Sequence, residues 1–156
     1  VAYVRQLPND AAARIVITPM PFPTDAAIRR ATLIHEGVHV AVAAPTTTAP
    51  LWAAEGFAEV IAVEQVPSHQ YLQRDLVLGR TTKVNSLALP TQEELYGDDH
   101  EREYVVAWAA VTGAFRRWGR EQCLASFNAW HEGGHPCDDE FTAAMREEIK
   151  RMRNGG

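Results

Sequence analysis

Two neighbouring stretches, Ile34-His-Glu-Gly-Val-His39 and Pro50-Leu-Trp-Ala-Ala-Glu-Gly-Phe-Ala58, decide the fold that the sequence predicts. Both are apolar apart from histidine and glutamate; Pro45 lies between them and Pro50 opens the second. Proline ends one helix and suits the first turn of the next. We therefore predict a helix from Asp25 to Ala43, capped by Thr24 or Asp25 and buried on nearly every side in its C-terminal half. A second helix should run from Leu51 to Gln65.

The flanking sequence indicates an α+β fold that is mainly α, with a short N-terminal β-sheet. Short β-branched runs predict strands at Tyr3–Leu7 and Arg14–Thr18. The further predicted helices are Ser68–Gly79, a turn opened by a capping box at Thr91–Glu94, Asp98–Trp118, Glu121–Trp130 and Asp139–Met152. The last four form a C-terminal helical part.

Composition is that of a single globular domain, residues 1–156. The chain is 46% hydrophobic and 22% charged, with a net charge of −5, so neither nucleic acid nor an anionic membrane is an expected partner. The basic clusters Arg29-Arg30, Arg116-Arg117 and Lys150–Arg153 are read as solvated helix faces or helix C-termini. No apolar run is long enough for a transmembrane segment. Because the chain opens at Val1 without an initiator Met, it is expected to be excised from a longer chain.

Two cysteines, Cys123 and Cys137, bear on the cellular compartment. A disulfide between them would stabilise the fold by about 3 kcal/mol on the chain-entropy estimate. Two free thiols explain the same count, and both alternatives remain open. An extracytoplasmic or secreted location is the weakly favoured expectation.

His35 and His39 have the spacing of a pair of metal ligands. Residues i and i+4 of a helix lie on one face, so both imidazoles can reach one ion. Glu36 then lies beside the ion, where it can accept a proton from water. Glu55 is available as a third ligand, and a zinc ion would neutralise groups that are costly to bury. The alternative is that both histidines are hydrogen-bonded core residues and that Glu55 caps a backbone group.

The same five-residue pattern occurs a second time, at His131-Glu-Gly-Gly-His135. Two glycines and the following Pro136 disfavour a helix, so these histidines should not share a face. We interpret the second copy as a loop that binds no metal; the alternative is a separate Cys/His site with the nearby Cys123 and Cys137, although the spacing fits no zinc pattern well.

Together, His35-Glu36-x-x-His39 and Glu55-Gly-Phe-Ala58 resemble the gluzincin metallopeptidases, and most of all the peptidase MA-like proteins. Thermolysin and the M1-type aminopeptidases are similar at a greater distance. The resemblance implies a zincin-like domain with one Zn²⁺ per chain, bound by His35, His39 and Glu55. It also implies that Glu59, four residues after Glu55, hydrogen-bonds a zinc histidine.

The choice between Glu55 and Glu59 as the zinc ligand rests on two rules that disagree. Glu59 has the spacing from His39 of thermolysin-like enzymes, whereas Glu55 comes sooner. Glu55, however, has an acid at i+4, while the i+4 neighbour of Glu59 is Val63, which cannot orient an imidazole. Loop length varies more easily than the groups that orient a ligand, so we predict Glu55.

The resemblance also implies a role for Tyr104, which has a small residue, Ala107, three positions later. A tyrosine so placed stabilises the oxyanion of the tetrahedral intermediate in aminopeptidase-like gluzincins. Membership of the apolar stripe with Trp108 and Phe115 would explain Tyr104 equally well.

The function predicted from these residues is zinc-dependent hydrolysis of peptide bonds, with Glu36 as the general base and a peptide or protein as substrate. No Gly-x-Met-Glu-Asn element precedes the zinc helix, which favours an endopeptidase. A peptide could pair with the edge strand Arg14–Thr18. The alternatives are a zinc-stabilised accessory domain without catalysis and a zinc hydrolase that acts on a non-peptide amide or ester.

Overall fold

In the computed structural model, the described residues form a short sheet and a mainly helical body; they are 2–6, 13–17, 25–41, 49–81, 83–98, 100–128 and 138–155. Strands β1 (Ala2–Gln6) and β2 (Ala13–Ile17) pair antiparallel, with Ala2 opposite Ile17. The helices are α1 (Ala26–Ala41), α2 (Leu51–Gln65), α3 (Pro67–Arg80), α4 (Gln92–Leu95), α5 (His100–Trp118), α6 (Arg120–Asn128) and α7 (Asp138–Arg153), and a 3₁₀ turn covers Val84–Ser86. The prediction of a mainly helical fold is confirmed.

Helix starts follow the capping residues in the sequence. The Asp25 carboxylate accepts hydrogen bonds from the backbone N–H groups of Ala27 and Ile28 at 2.8 and 2.9 Å, which fixes the first turn of α1. Thr91 and Glu94 form the predicted capping box at α4. Helix α3 begins one residue earlier than predicted, with proline in its first turn. The ends of two predicted helices, residues 42–43 and 129–130, lie outside the described residues.

Burial distinguishes α1 from α2 in a way that was predicted wrongly. The buried residues of α1 are Ala31, His35, Glu36 and His39, whereas its apolar Leu33 is 39% exposed. The expectation that α1 is buried on nearly every side is therefore wrong. That description fits α2, in which 11 of 15 residues are buried. The difference arises because α2 packs against α1, α3 and α5, so that it has core on several sides.

Two glycines let three helices approach to backbone contact. A Cβ atom built on Gly56 of α2 would lie 2.4 Å from the carbonyl oxygen of Ala107 in α5. A Cβ on Gly113 of α5 would lie 2.4 Å from the carbonyl oxygen of Ala144 in α7. Because these neighbours are backbone atoms, any larger residue would force the helices apart. Gly56 therefore sets the spacing of α2 and α5, and Gly113 that of α5 and α7.

Aromatic contacts fill the space around these crossings. The ring centroids of Trp52 and Phe141 are 5.0 Å apart, and those of Trp118 and Phe141 are 5.3 Å apart. Phe57 stacks on Phe127 at 5.3 Å. Such pairs add about 0.5–1.5 kcal/mol each beyond their buried area. They join α2 and α5 to α7, and α2 to α6, within the larger hydrophobic cluster; a second, smaller cluster is formed by Ala31, Ala62 and Val66.

The described residues bear on the predictions about a transmembrane segment and about the two cysteines. Within those ranges, no helix combines the length and the apolar character needed to cross a lipid bilayer. The Cys123 thiol is half-buried, and burial raises its pKa to about 11. Cys137 lies outside the described residues, so a disulfide between these cysteines stays a prediction.

Candidate metal centre

Three polar side chains from α1 and α2 converge on one point. His35 Nε2 lies 2.9 Å from Glu55 Oε2 and 3.1 Å from His39 Nε2. His39 Nε2 lies 3.3 Å from the same Glu55 oxygen. Each of the three residues is at most 9% exposed. The structure thus brings together the three residues that the sequence and the resemblance select as ligands.

The convergence has a local cause in each helix. His35 and His39 are one turn apart on α1, so their imidazoles lie on the same face. Helix α2 begins just after Pro50 and packs along that face, which places Glu55 opposite both rings. The next residue, Gly56, carries no side chain and lets α5 approach on the other side. Each of the three side chains is therefore positioned by a regular helix, on the face where α1 and α2 pack together.

The donor set fits a tetrahedral metal ion such as zinc. Zinc binds histidine nitrogen and carboxylate oxygen at about 2.0–2.1 Å, and tetrahedral angles then place the ligand atoms about 3.3–3.4 Å apart. The three distances observed, 2.9, 3.1 and 3.3 Å, are within a few tenths of an ångström of that spacing. Two nitrogens and one oxygen from three residues match the ligand set of catalytic zinc sites, which keep a fourth position open.

Glu59 contacts the opposite side of the His35 ring. Its Oε2 atom lies 3.0 Å from Nδ1 of His35, one helical turn beyond Glu55. With Nδ1–H donating to Glu59, the lone pair of His35 is on Nε2, the atom that faces His39 and Glu55. Glu59 therefore has the geometry of a residue that fixes the tautomer and orientation of a metal ligand.

The carboxylates of Glu55 and Glu59 favour the protonated form of His35. Burial alone would lower the pKa of His35, but hydrogen bonds and charge from Glu55 and Glu59 outweigh burial and raise that pKa to about 10. Burial alone would raise the pKa of Glu55, but hydrogen bonds from His35 and His39 outweigh it and lower that pKa to about 2. His35 and Glu55 therefore form an ion pair, and a metal that binds here displaces the proton between them.

Tyr104 lies beside the converging side chains, and Glu36 follows His35 on the same helix. Glu36 is buried, at 9% exposure, next to His35 in the chain. The Tyr104 ring, on α5, is centred 6.2 Å from the His35 ring. Burial and the charges of Glu55 and Glu36 raise the pKa of Tyr104 well above its ordinary value. The phenol therefore stays protonated and can donate a hydrogen bond.

Two residues beside Tyr104 were missed by the sequence analysis. The His100 ring meets the Tyr104 ring edge-on, with centroids 6.4 Å apart, and its Nδ1 lies 3.3 Å from the Gly97 carbonyl oxygen. Tyr96 is 69% exposed, and a charge on its phenol would raise the pKa of Tyr104 further. The one available signal was that His100 comes a helical turn before Tyr104 in a predicted helix.

The second histidine pair, His131 and His135, lies outside the described residues, as does Cys137. The prediction that this copy is a loop without metal therefore stays a prediction. Comparison of the chain with known protein families, with characterised proteins and with solved structures finds no match, so the chemistry of the site is argued from its own residues and distances.

Proposed function

We propose that the chain is a zincin-like, zinc-dependent peptidase that cleaves peptide bonds within polypeptides. The observation that carries the proposal is the convergence of His35 Nε2, His39 Nε2 and Glu55 Oε2, with the buried Glu36 adjacent to His35 in the chain. A purely structural metal site needs ligands but no adjacent base, and structural zinc sites are usually closed by four protein ligands. Three ligands and a nearby acid favour a catalytic site.

One zinc ion would be held by His35, His39 and Glu55, with Glu59 orienting His35. When bound there, zinc supplies Lewis acidity, which lowers the pKa of water and polarises a carbonyl group. The helices hold these buried side chains in fixed positions, so the site does not need to reorganise during the reaction.

Glu36 is the proposed general base. Its carboxylate accepts a proton from the attacking water, and the protonated carboxyl then passes that proton to the departing amine nitrogen. One oxygen–hydrogen bond of water is broken and one nitrogen–hydrogen bond is formed, so the carboxylate is regenerated. Because Glu36 lies next to His35 on α1, its distance from the site is set by the same helix.

Tyr104 is the proposed hydrogen-bond donor to the substrate carbonyl oxygen. That oxygen gains negative charge as water adds to the carbonyl carbon, and a protonated phenol close by stabilises the charge. The raised pKa of Tyr104 keeps the donor proton in place at neutral pH. Helix α5 supplies this group, so the site combines residues from three helices.

An extended peptide is the proposed substrate because β2 offers an edge near α1. Strand β2 contacts α1. One edge of β2 pairs with β1, and within the described residues the opposite edge pairs with no strand. Ile15 and Ile17 on this strand are exposed, at 38% and 51%. A substrate segment could add to this edge through backbone hydrogen bonds, which are independent of sequence.

Metal analysis combined with the Glu36→Gln variant tests the proposal. The wild type should bind one zinc per chain and cleave internal bonds in a peptide library. Glu36→Gln should keep the zinc and lose about 10²- to 10⁴-fold in turnover, because only proton transfer is removed. Glu64→Gln, an exposed acid on α2, is the matched control and should leave turnover unchanged.

Each competing function predicts a different result. Zinc without cleavage of any peptide would indicate an accessory domain, and cleavage confined to small amides or esters would indicate a non-peptide hydrolase. Near-normal turnover in Glu36→Gln would exclude this residue as the base.

A further inference from the structure

The chain has only two lysines, Lys83 and Lys150, and both line the same cavity. The cavity has a volume of about 590 Å³ and opens between the 3₁₀ turn and the C-terminal end of α7. Arg153, Asn85, Ser86 and Asn154 line it as well, and none of its described lining residues is acidic. Three cations thus surround one concave space in a chain whose net charge is −5.

The cations of this cavity differ from most others in how they are neutralised. Six described arginines form ion pairs with carboxylates, namely Arg80, Arg102, Arg116, Arg117, Arg120 and Arg151. Within the described ranges, no such partner is found for Lys83 or Lys150, and Arg153 donates to the Thr81 carbonyl oxygen instead. The positive charge at the cavity is therefore not balanced by neighbouring acids.

The backbone on both sides of the cavity is held in place. Arg146 donates two hydrogen bonds to the carbonyl oxygen of Leu87, at 3.0 and 2.6 Å, just after the 3₁₀ turn. Arg74 donates to the carbonyl oxygen of Met152 at 3.0 Å, near the end of α7. Val84 and Met152 are themselves buried. A ligand would therefore meet a preformed cavity and order little more than the lysine side chains.

The helix dipole explains only part of this arrangement. Lys150 and Arg153 lie in the last turns of α7, where cations complement the negative end of the helix. Lys83 belongs to a different segment, before the 3₁₀ turn, and that turn needs no cation. The local sequence predicts only a solvated helix face or a helix C-terminus at Lys150–Arg153, because it does not reveal the tertiary position of Lys83.

We propose that this cavity binds a small soluble molecule that carries phosphate groups. Ammonium, guanidinium and amide N–H groups are the donors that phosphate oxygens accept. The volume is within the range of about 300–1,000 Å³ found for small-molecule sites. A single concave cluster on an acidic chain suits a small ligand better than nucleic acid, which requires a continuous basic surface.

Amine acylation read by mass spectrometry tests the proposal, since only two side-chain amines can react. Fructose 1,6-bisphosphate is the probe, and fructose and sodium chloride at equal ionic strength are the controls. At ten times its Kd, the probe should slow acylation of both Lys83 and Lys150 about tenfold, because only the unliganded fraction reacts. Neither control should protect. This readout requires neither a bound metal nor peptidase activity.

Lys83→Gln is the informative variant, because Lys83 is exposed and its loss should not disturb folding. In this variant Lys150 remains as the reporter, and the probe concentration needed for half-protection should rise at least about fivefold. Arg117→Gln removes an exposed cation elsewhere and should leave that concentration unchanged. Equal protection by sodium chloride, protection of one lysine alone, or an equal loss in Arg117→Gln would overturn the proposal.

Discussion

Glu55 and Glu148 are both buried glutamates on core helices, yet their surroundings differ in kind. Glu148, in α7, is 2% exposed and accepts hydrogen bonds from Arg116 at 2.9 Å and from Arg151 at 3.0 and 2.7 Å. Glu55 is 9% exposed, and its Oε2 contacts the imidazoles of His35 and His39. Glu148 is thus held by two arginines, which stay charged, whereas Glu55 is held by two histidines, a residue type that can be neutral.

The Glu148 cluster always contains the cations that pair with its carboxylate, whereas the Glu55 cluster contains a cation only while a histidine is protonated. Arginine stays protonated at any physiological pH, so the Glu148 carboxylate keeps its charged partners without a ligand. Histidine loses its proton readily unless a carboxylate holds it, and its free nitrogen is then a metal ligand. Under the proposed function, the site at Glu55 exchanges a proton for zinc, whereas the carboxylate of Glu148 is already held by two arginines.

The largest expected effect is on zinc affinity when the carboxylate of each region is made neutral. Glu55→Gln should weaken zinc binding about 10²- to 10³-fold, since one of three protein ligands, and the only anionic one, is lost. Glu148→Gln, the matched change in the other region, should leave the affinity unchanged. Competition against a fluorescent zinc chelator measures both. Equal losses would show that overall folding, and not ligation, controls the affinity.

Removal of the phenol beside Glu55 is expected to lower turnover, by a smaller factor than Glu55→Gln lowers zinc affinity. Tyr104→Phe should lower kcat about 10²-fold and leave KM and zinc content nearly unchanged, because the lost hydrogen bond forms only in the transition state. Steady-state kinetics and a melting curve separate the alternatives. A lower melting temperature with unchanged kcat would mean that Tyr104 is only a packing residue.

Next in size is the effect of the acid behind His35. Glu59→Gln should lower zinc affinity about 10- to 100-fold, as is usual for groups that orient a metal ligand. The loss should therefore be smaller than that of Glu55→Gln in the same chelator competition. The reverse order would assign the ligand role to Glu59.

The smallest effect concerns the stability that the Glu148 cluster contributes at different pH. Burial alone would raise the pKa of Glu148, but hydrogen bonds and charge from Arg151 and Arg116 outweigh it and hold the pKa below its ordinary value. A depressed pKa contributes stability above the unfolded value of about 4.3, and this is lost as the pH falls through the folded value. Glu148→Gln should therefore cost about 1–2 kcal/mol at pH 7.

Urea unfolding of the wild type and Glu148→Gln at pH 7, 5 and 3 measures this cost. The difference between the two proteins should shrink as the pH falls below about 4.3, where the unfolded wild-type carboxyl group binds a proton. A constant difference across that range would mean that packing, and not charge, accounts for it.

Local signals predicted the helices well because the signals that start and stop a helix act over a few residues. Asp25, Pro50 and the capping box at Thr91 each act within one turn, so the sequence alone reveals them. Burial was harder to predict. The apolar residues of α1 predicted that its C-terminal half is buried on nearly every side, but contacts with several helices make α2 the more buried helix.

The parts of the site that depend on distant residues were the least predictable. His35 and His39 follow from one helical period, whereas the approach of Tyr104 depends on a glycine in α2 that lets α5 pack closely. His100 was missed because its importance depends on that crossing. Lys83 and Lys150 share a cavity only through the tertiary packing of α7 against the 3₁₀ turn, which no local pattern encodes.

The crossing at Gly56 also has a consequence for the order of folding. His35 and Glu55 are 20 residues apart in the chain, so α1 and α2 can meet by closing a short loop. Helix α5 joins them from farther along the chain, and longer-range contacts form more slowly. We therefore expect zinc uptake during refolding to precede the overall change in tryptophan fluorescence, to which Trp108 and Trp118 of α5 contribute. Rapid mixing with a zinc dye measures both rates, and simultaneous signals would contradict this order.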